Sequence, residues 1–477
     1  MQDAALNRVL AKTVWGLDVI PLDRRDGRLY CVPQERGWRM VQTDFDVAVV
    51  GAGIGGMCAA ARLSHGGYRV LVVEKLPVPG GRFSTTEYKG FKLSTGAIGV
   101  EMGGPLEETF RAVGAPFHVK RPHPQLGYRL DGRDYILPPK GGLRWLLHQV
   151  AADENAAEQV MKAIKRGLAW SEPANSITLK EWLSQITDDP RIHAVIQAVC
   201  AALLVVNYYE APAGAFFRFL KSGGYRDFGF APEGNIALVR SLEAVVIEGG
   251  GQVWTKARVR RIVAKAGRAE GIVVERNGAT EAIKAGVVVS NASPKQTVKL
   301  AGEGNFEKGY LKQVIESQRP APVVGVLVAS DRPLMEHPGI LLPSGTRRLC
   351  LMTTPTLTCP GLAPQGQHFL ESFGAFSDSL GPVDLPKEIE MNLQDLRDNL
   401  PDMERHGRIL MVQTFYGEWP ALNTWPGYEA PFRTSLEMLY NVGDGSNVHG
   451  TTGLPGCAET ARVVVDDIMA RIRPGAR

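Results

Sequence analysis

Residues 45–75 read FDVAVVGAGIGGMCAAARLSHGGYRVLVVEK, and this stretch decides the fold. Phe45–Val50 is a short β-branched run, and Tyr68–Lys75 is a second. Both are nearly continuously apolar, the pattern of parallel strands buried on both faces. Between them, glycines lead into a run of small residues that reads as a helix. Strand, turn, helix and strand make one βαβ unit. The turn is Gly51-Ala52-Gly53-Ile54-Gly55-Gly56. Gly51 permits the tight turn, Gly53 lets the backbone approach a pyrophosphate, and Gly56, after Gly55, lets the helix lie close to the strand. The helix N-terminus offers free N–H groups and partial positive charge to phosphates. Glu74 ends the second strand, where a carboxylate accepts ribose hydroxyls, and Lys75 follows it. The pattern predicts dinucleotide binding. The alternative is a glycine-rich turn with a surface Glu.

Two further stretches extend the site. Gly80-Gly81-Arg82 follows the second strand. Its glycines permit a turn against a ligand, and Arg82 supplies a fixed charge for phosphate. A simple NAD site needs no such clamp, so this feature points to FAD. Far along the chain come Asn441-Val442-Gly443-Asp444-Gly445 and Thr451-Thr452-Gly453-Leu454-Pro455-Gly456. A strand ending in Gly443-Asp444 sets a carboxylate where a ribityl hydroxyl can donate. Pro455 suits the first turn of a helix. Such a helix would aim N–H groups at the carbonyl side of a flavin and stabilise its anionic reduced form.

The set GAGIGG with Glu74, then GGR, then NVGDGS and GLPG resembles the FAD-dependent phytoene desaturase and carotenoid isomerase family. That family sits in a wider group with the flavin amine oxidases. FAPEGNIALVRSLEAVVIEGGGQVWTKARVRRIV and AGVVVSNASPKQT resemble further stretches of the family. The resemblance covers roughly residues 44–104, 229–300 and 436–472. It implies FAD as cofactor, backbone contact of Val259 with the adenine, and Asn291 and Ala292 close to the cofactor. In GFKLSTGAIGV the chain departs from the pattern, because Ser94 stands where relatives have Asp.

The expected fold class is α/β: a discontinuous FAD-binding Rossmann-type domain plus an α+β substrate domain with a mixed sheet. The FAD-binding segments are 40–104, 229–300 and 433–477, and the substrate domain comprises 105–228 and 301–432. Residues 1–39 match neither part. They are either a short accessory arm or sequence upstream of a natural start at Met40. Within the substrate segments, TLKEWLSQI reads as a helix opened by a Thr cap. PRIHAVIQAVCAALLVVNYY reads as a longer apolar helix. PVVGVLVAS, HFLESFGAF and RILMVQTFYG mark a β-rich region.

Candidate reacting groups are few. His449, between the Gly-Asp motif and the flavin-facing helix, is a candidate base or donor. A solvent-facing loop histidine is the alternative. Tyr208 and Tyr209, with Phe216, Phe217 and Phe219 beyond them, form a candidate wall for a flat or apolar substrate, or else ordinary core. Phe415, Tyr416 and Trp419 form a second candidate aromatic wall. The resemblance implies hydride transfer from a substrate carbon to the flavin, giving a C–C double bond in an apolar substrate. The alternatives are an amine oxidase forming an imine with oxygen as acceptor, and an isomerase or ene reductase working from reduced flavin. A non-catalytic FAD-stabilised protein is the remaining one.

Composition excludes several classes. Hydrophobic residues are 44% and charged residues 22% of 477, which excludes a disordered or fibrous chain. The net charge of +4 is too small for a global field toward nucleic acid. Six cysteines without CxxC spacing or a histidine cluster argue against a metal site or a disulfide framework. Buried free thiols imply a reducing, cytoplasmic setting. No secretory pattern opens the chain. The apolar stretch Ile192–Tyr209 is marginal as a span, and it leaves peripheral membrane contact open beside burial in the substrate domain. The expected partner is a small apolar or ring-containing substrate.

Overall fold

The structure, a computed structural model, describes residues 40–170, 175–222, 227–446 and 451–475. Residues 1–39 and His449 lie outside the described residues. Two seven-stranded sheets organise the rest.

The first sheet draws on residues 40–73, 252–290 and 439–441. Its parallel core runs Gln252–Trp254, Val70–Val73, Met40–Val50, Ala279–Ser290. The long strand Ala279–Ser290 serves two neighbours on its other edge. Its first half pairs antiparallel with Arg268–Arg276, which in turn pairs with Ala257–Lys265. Its last three residues pair parallel with Leu439–Asn441. The uninterrupted apolar run of Val47–Val50 follows from what covers the sheet. Val47 and Val49 join a core with the helices Ile54–His65, Asn235–Glu248 and Gly453–Arg471. Ala48 and Val50 join a second core on the opposite face, with the helices Pro294–Ala301 and Lys308–Ser317. Alternate residues point to opposite faces, and here both faces are dry.

The second sheet draws on residues 126–136 and 323–415. Its order is Gly407–Phe415, Val323–Ser330, His368–Ala375, Leu349–Thr353, Ile340–Pro343, Leu126–Leu130, Arg133–Ile136. All pairs are antiparallel except Ile340–Pro343 with Leu126–Leu130, so the sheet is mixed. Every residue of Val323–Ser330 is buried. One face packs on the helices between residues 142 and 221, and the other on Leu385–Asn399.

Local signals act as expected in this region. Thr178 opens the helix Leu179–Ser184 with a capping box to Glu181. The apolar stretch becomes the helix Pro190–Leu204 and stops where Val205 takes a positive φ of 51°. Its Ile192, Val195, Ile196, Cys200 and Leu204 are buried in the core beneath the second sheet. Core packing therefore accounts for its apolar character. No helix among the described residues is long and apolar enough to cross a membrane.

Candidate cofactor and substrate site

The glycine turn runs from the end of Met40–Val50 into Ile54–His65. Gly51 has φ 92°, a left-handed value that glycine takes without strain. A Cβ on Gly56 would stand 2.3 Å from the Gly51 carbonyl oxygen, and one on Gly53 would stand 2.3 Å from Asn291 Oδ1. The helix therefore starts against the strand as closely as backbone allows. Its first-turn N–H groups have no acceptor within the helix.

Glu74 is buried and anchored from two sides. One oxygen accepts the Ala52 N–H at 2.7 Å, the other the Leu76 N–H at 2.8 Å. Burial pushes its carboxyl above the ordinary range, and the two N–H bonds oppose that. Beside it, the ammonium of Lys75 lies 5.3 Å from the Trp419 ring centre.

Asn291 joins three remote segments. Its N–H donates to the Val50 carbonyl at 2.8 Å, and its Nδ2 donates to the Val442 carbonyl at 3.0 Å. Its side chain touches the positions where Gly53, Gly55 and Gly443 would carry a Cβ. Val259 lies on the outer strand Ala257–Lys265, next to the bulge at Arg260, where ladder pairing lapses.

Arg82 and Asp444 meet each other. Arg82 Nη2 is 3.2 Å from Asp444 Oδ1, and Arg82 Nη1 donates to the carbonyls of Pro420 (2.7 Å) and Ala421 (2.5 Å). Asp444 also accepts from Asn423 N (3.0 Å) and Asn423 Nδ2 (2.6 Å). The segment around Pro420–Asn423 is thus tied to the two residues that the sequence assigns to phosphate and ribityl. Asn423 itself has no sequence signal that marks it.

Two polar atoms near this loop have no partner among the described residues. Ser446 Oγ and Thr452 Oγ1 are buried without a hydrogen bond, and they flank the stretch that leads into the helix Gly453–Arg471. With the free first-turn N–H groups, they are the donors and acceptors a flavin ring or its chain would satisfy. Cys457, in the same helix, is a poor nucleophile because burial raises its thiol pKa.

Residues 54–469 match the flavin containing amine oxidoreductases. The chain belongs to that family. Its cofactor is FAD, and it is an FAD-dependent oxidoreductase. Among relatives, the chloroplastic prolycopene isomerase of Daucus carota is 24% identical across 84% of this chain and 76% of its own. The zeta-carotene-forming phytoene desaturase of Myxococcus xanthus is 52% identical over 68 residues, 14% of this chain and 13% of its own. An oxidoreductase from Methanosarcina mazei superposes with a TM-score of 0.77 at 26% identity, covering 89% of this chain and all of that one.

In this flavoenzyme the aromatic candidates do not converge. Tyr208 bonds His193 Nδ1 at 3.1 Å on the rim of an outer crevice. Tyr209 is exposed, and its hydroxyl reaches the Ser377 carbonyl. Phe216, Phe217 and Phe219 are fully buried core. Tyr416 and Trp419 are exposed, and Phe415 packs edge-on against Phe373 with centroids 6.2 Å apart. Tyr208 and Tyr209 pack ring against ring, 6.3 Å between centroids, and Trp419 comes within 4.0 Å of the Cβ position of Gly81.

A cavity that the sequence does not announce lies between the hairpin Thr85–Ser94, the loop Phe230–Asn235 and the strand His368–Ala375. Its enclosed space is about 20 Å³, room for roughly one water. Ile98, Phe230, Leu362 and Phe369 wall it, with Asn235 and Glu371 among the polar groups. Ser94 lines it as well, one residue before Thr95, whose hydroxyl donates to the Gly81 carbonyl at 2.8 Å. The cavity thus abuts the cofactor segment. Burial pushes the Glu371 carboxyl up to about 7, opposed by its bonds to Ser94. A single Glu inside the apolar run HFLESFGA was the available signal for it.

Proposed function

We propose that this flavoenzyme oxidises an apolar or ring-containing substrate, taking hydride from a substrate carbon and leaving a C–C double bond. The meeting of the glycine turn, Asn291 and Gly443 at one junction supports the flavin part of this reading. The names of two relatives, prolycopene isomerase and phytoene desaturase, support C–C chemistry on apolar material.

FAD, when bound, supplies the two-electron acceptor. The chain supplies position. In this reading Glu74 accepts ribose hydroxyls while Ala52 and Leu76 hold it still. Gly51, Gly53, Gly55 and Gly56 bring backbone N–H groups to the pyrophosphate. Val259 borders the adenine through its backbone, and Asn291 locks the glycine turn to Gly443. Gly80 and Gly81 shape the turn that carries Arg82, which holds the Pro420–Asn423 segment over Asp444. Ser446, Thr452, Gly453, Leu454 and Pro455 face the flavin, where the helix N-terminus favours negative charge on the ring. The surrounding apolar side chains exclude water from the reacting carbon.

Anaerobic mixing of the holoprotein with apolar alkenes, linear and cyclic, tests the reading. Loss of the flavin absorption band with formation of a diene is the expected result. The match to the flavin containing amine oxidoreductases favours a second reading, oxidation of an amine. Bleaching by amines with release of aldehyde, and none by alkenes, would establish amine oxidation instead.

A further inference from the structure

The loop that follows the strand Gly407–Phe415 runs from Tyr416 to Asn423 and touches both ends of the cofactor segments. Its far end is tied to Asp444, which accepts from Asn423 N at 3.0 Å and from Asn423 Nδ2 at 2.6 Å. Its middle is tied to Arg82, whose Nη1 donates to the carbonyls of Pro420 and Ala421. Ala421 N donates to the Ala321 carbonyl at 3.0 Å, and Glu418 lies 3.2 Å from Lys299. A loop that merely joined two elements would need none of these ties, whereas loops held on a rigid scaffold carry function. What the ties position is Trp419. Gly417, with φ 64°, turns the chain just before it, and the Trp419 N–H donates to the Tyr416 carbonyl at 3.1 Å. The ring centre is 5.3 Å from the ammonium of Lys75, the residue after Glu74. Trp419 Cη2 is 4.0 Å from the Cβ position of Gly81, and that same position is 3.7 Å from Gly53 Cα. Gly80 N donates to the Ala52 carbonyl at 2.7 Å, so the Gly80-Gly81 turn lies directly on the glycine turn. The indole therefore lies alongside the stretch from Lys75 to Gly81, next to Gly53. It is 39% exposed, too much for a core role.

We propose that Trp419 is a cofactor-binding residue: its indole covers the outer side of the FAD diphosphate and the adjoining ribose, on a strap that Arg82 and Asn423 hold in place. The chemistry suits this half of the cofactor. The diphosphate carries two negative charges, and backbone N–H groups of the glycine turn receive it. An apolar plate over its open side keeps water from competing for those N–H groups, which strengthens the bonds. Lys75, over the indole ring, adds positive charge at the same edge. Arg82 is a positioning residue in this arrangement. Its Nη1 is spent on two carbonyls and its Nη2 on Asp444, so the guanidinium acts on FAD through the strap. The role concerns retention of FAD and is independent of which substrate bond the flavin oxidises.

Release of FAD from the full-length holoprotein supplies the test, followed as the rise of flavin emission after dilution into buffer without FAD. Trp419→Ala should release FAD about tenfold faster than the wild type. Trp419→Phe keeps an aromatic plate and should stay within about threefold of it. The truncation spares the core, because the side chain is exposed. The absorption and emission of the bound flavin separate the two halves of the cofactor. Both should be the same in Trp419→Ala as in the wild type, since an indole on the diphosphate is out of contact with the ring. A changed spectrum of the bound flavin would place Trp419 on the ring and overturn the proposal. Tyr416→Ala removes another exposed aromatic of the strap and should release FAD at the wild-type rate. Acceleration equal to that of Trp419→Ala would assign the effect to the strap as a whole and overturn the role of the indole. Arg82→Ala should speed release at least as much, and Trp419→Ala should add little to it. Wild-type release from Trp419→Ala, or additive effects of the pair, would overturn the proposal.

Discussion

Gly56→Ala sets two effects of opposite sign against each other. Gly56 lies inside the helix Ile54–His65 and has an ordinary helical conformation. Propensity alone favours Ala over Gly by about 1 kcal/mol within a helix. Against this, the new Cβ would stand 2.3 Å from the Gly51 carbonyl oxygen and 3.1 Å from Asn291 Cβ. The first neighbour is backbone, so no rotamer change relieves it. Overpacking of this kind costs about 1–3 kcal/mol, and the clash prevails by about 1–2 kcal/mol at the upper end of that range. In a chain of this length that is only about 1–2 °C in Tm. The sharper assay is FAD content after desalting, because the helix can move only by opening the turn that faces the pyrophosphate. Gly309→Ala is the control, a helical glycine with nothing within 4 Å of its Cβ position. It should stabilise by up to about 1 kcal/mol and leave FAD content unchanged. If Gly56→Ala purifies fully flavinated and as stable as the control, close approach is not what this glycine serves.

Three further outcomes are expected. Asp444→Ala removes the acceptor for Arg82 and Asn423 and should lower FAD content, read from the ratio of flavin to protein absorbance. Arg348→Ala leaves the buried Glu388 without its ion-pair partner and should cost about 3 kcal/mol or more in denaturant unfolding. Burial raises the Glu101 carboxyl from its ordinary 4.5 to about 7. Between those values the folded chain holds a proton that the unfolded chain lacks, so stability falls as pH rises. Glu101→Gln should lessen that fall in urea titrations from pH 4.5 to 7, without abolishing it, because burial raises Glu371 and Glu429 in the same direction.

The cofactor side was legible because its physics is local. Glycines at Gly51, Gly53 and Gly56, a carboxylate at Glu74 and two apolar strands all lie within 31 residues, and their roles follow from backbone geometry. Asn291 was reached through resemblance and Gly443 through the Gly-Asp motif, and the structure brings both to the same turn. The substrate side was not legible in this way. Tyr208 and Tyr209 pack ring against ring, and Trp419 lies beside Lys75 and Gly81, so tertiary packing puts the candidates in separate places that no spacing rule foretells. The cavity is made by the hairpin Thr85–Tyr88 with Phe91–Ser94, a loop near Asn235 and the middle of His368–Ala375. No spacing rule links those segments. The partners of Arg82 escaped for the same reason. An arginine beside glycines reads as a phosphate ligand, and only the fold shows Pro420 and Ala421 within its reach.

The Asn291 junction has a consequence for synthesis. The glycine turn leaves the ribosome early, but Val442, whose carbonyl receives the Asn291 amide, is 151 residues beyond Asn291. The strand Leu439–Asn441 and the helix Gly453–Arg471 come later than everything they cover. A nascent chain therefore lacks the last helix over its first core until translation ends, and the junction at Asn291 closes only in the released polypeptide. Cellular yield of holoprotein should accordingly follow chaperone capacity more closely than vitamin supply.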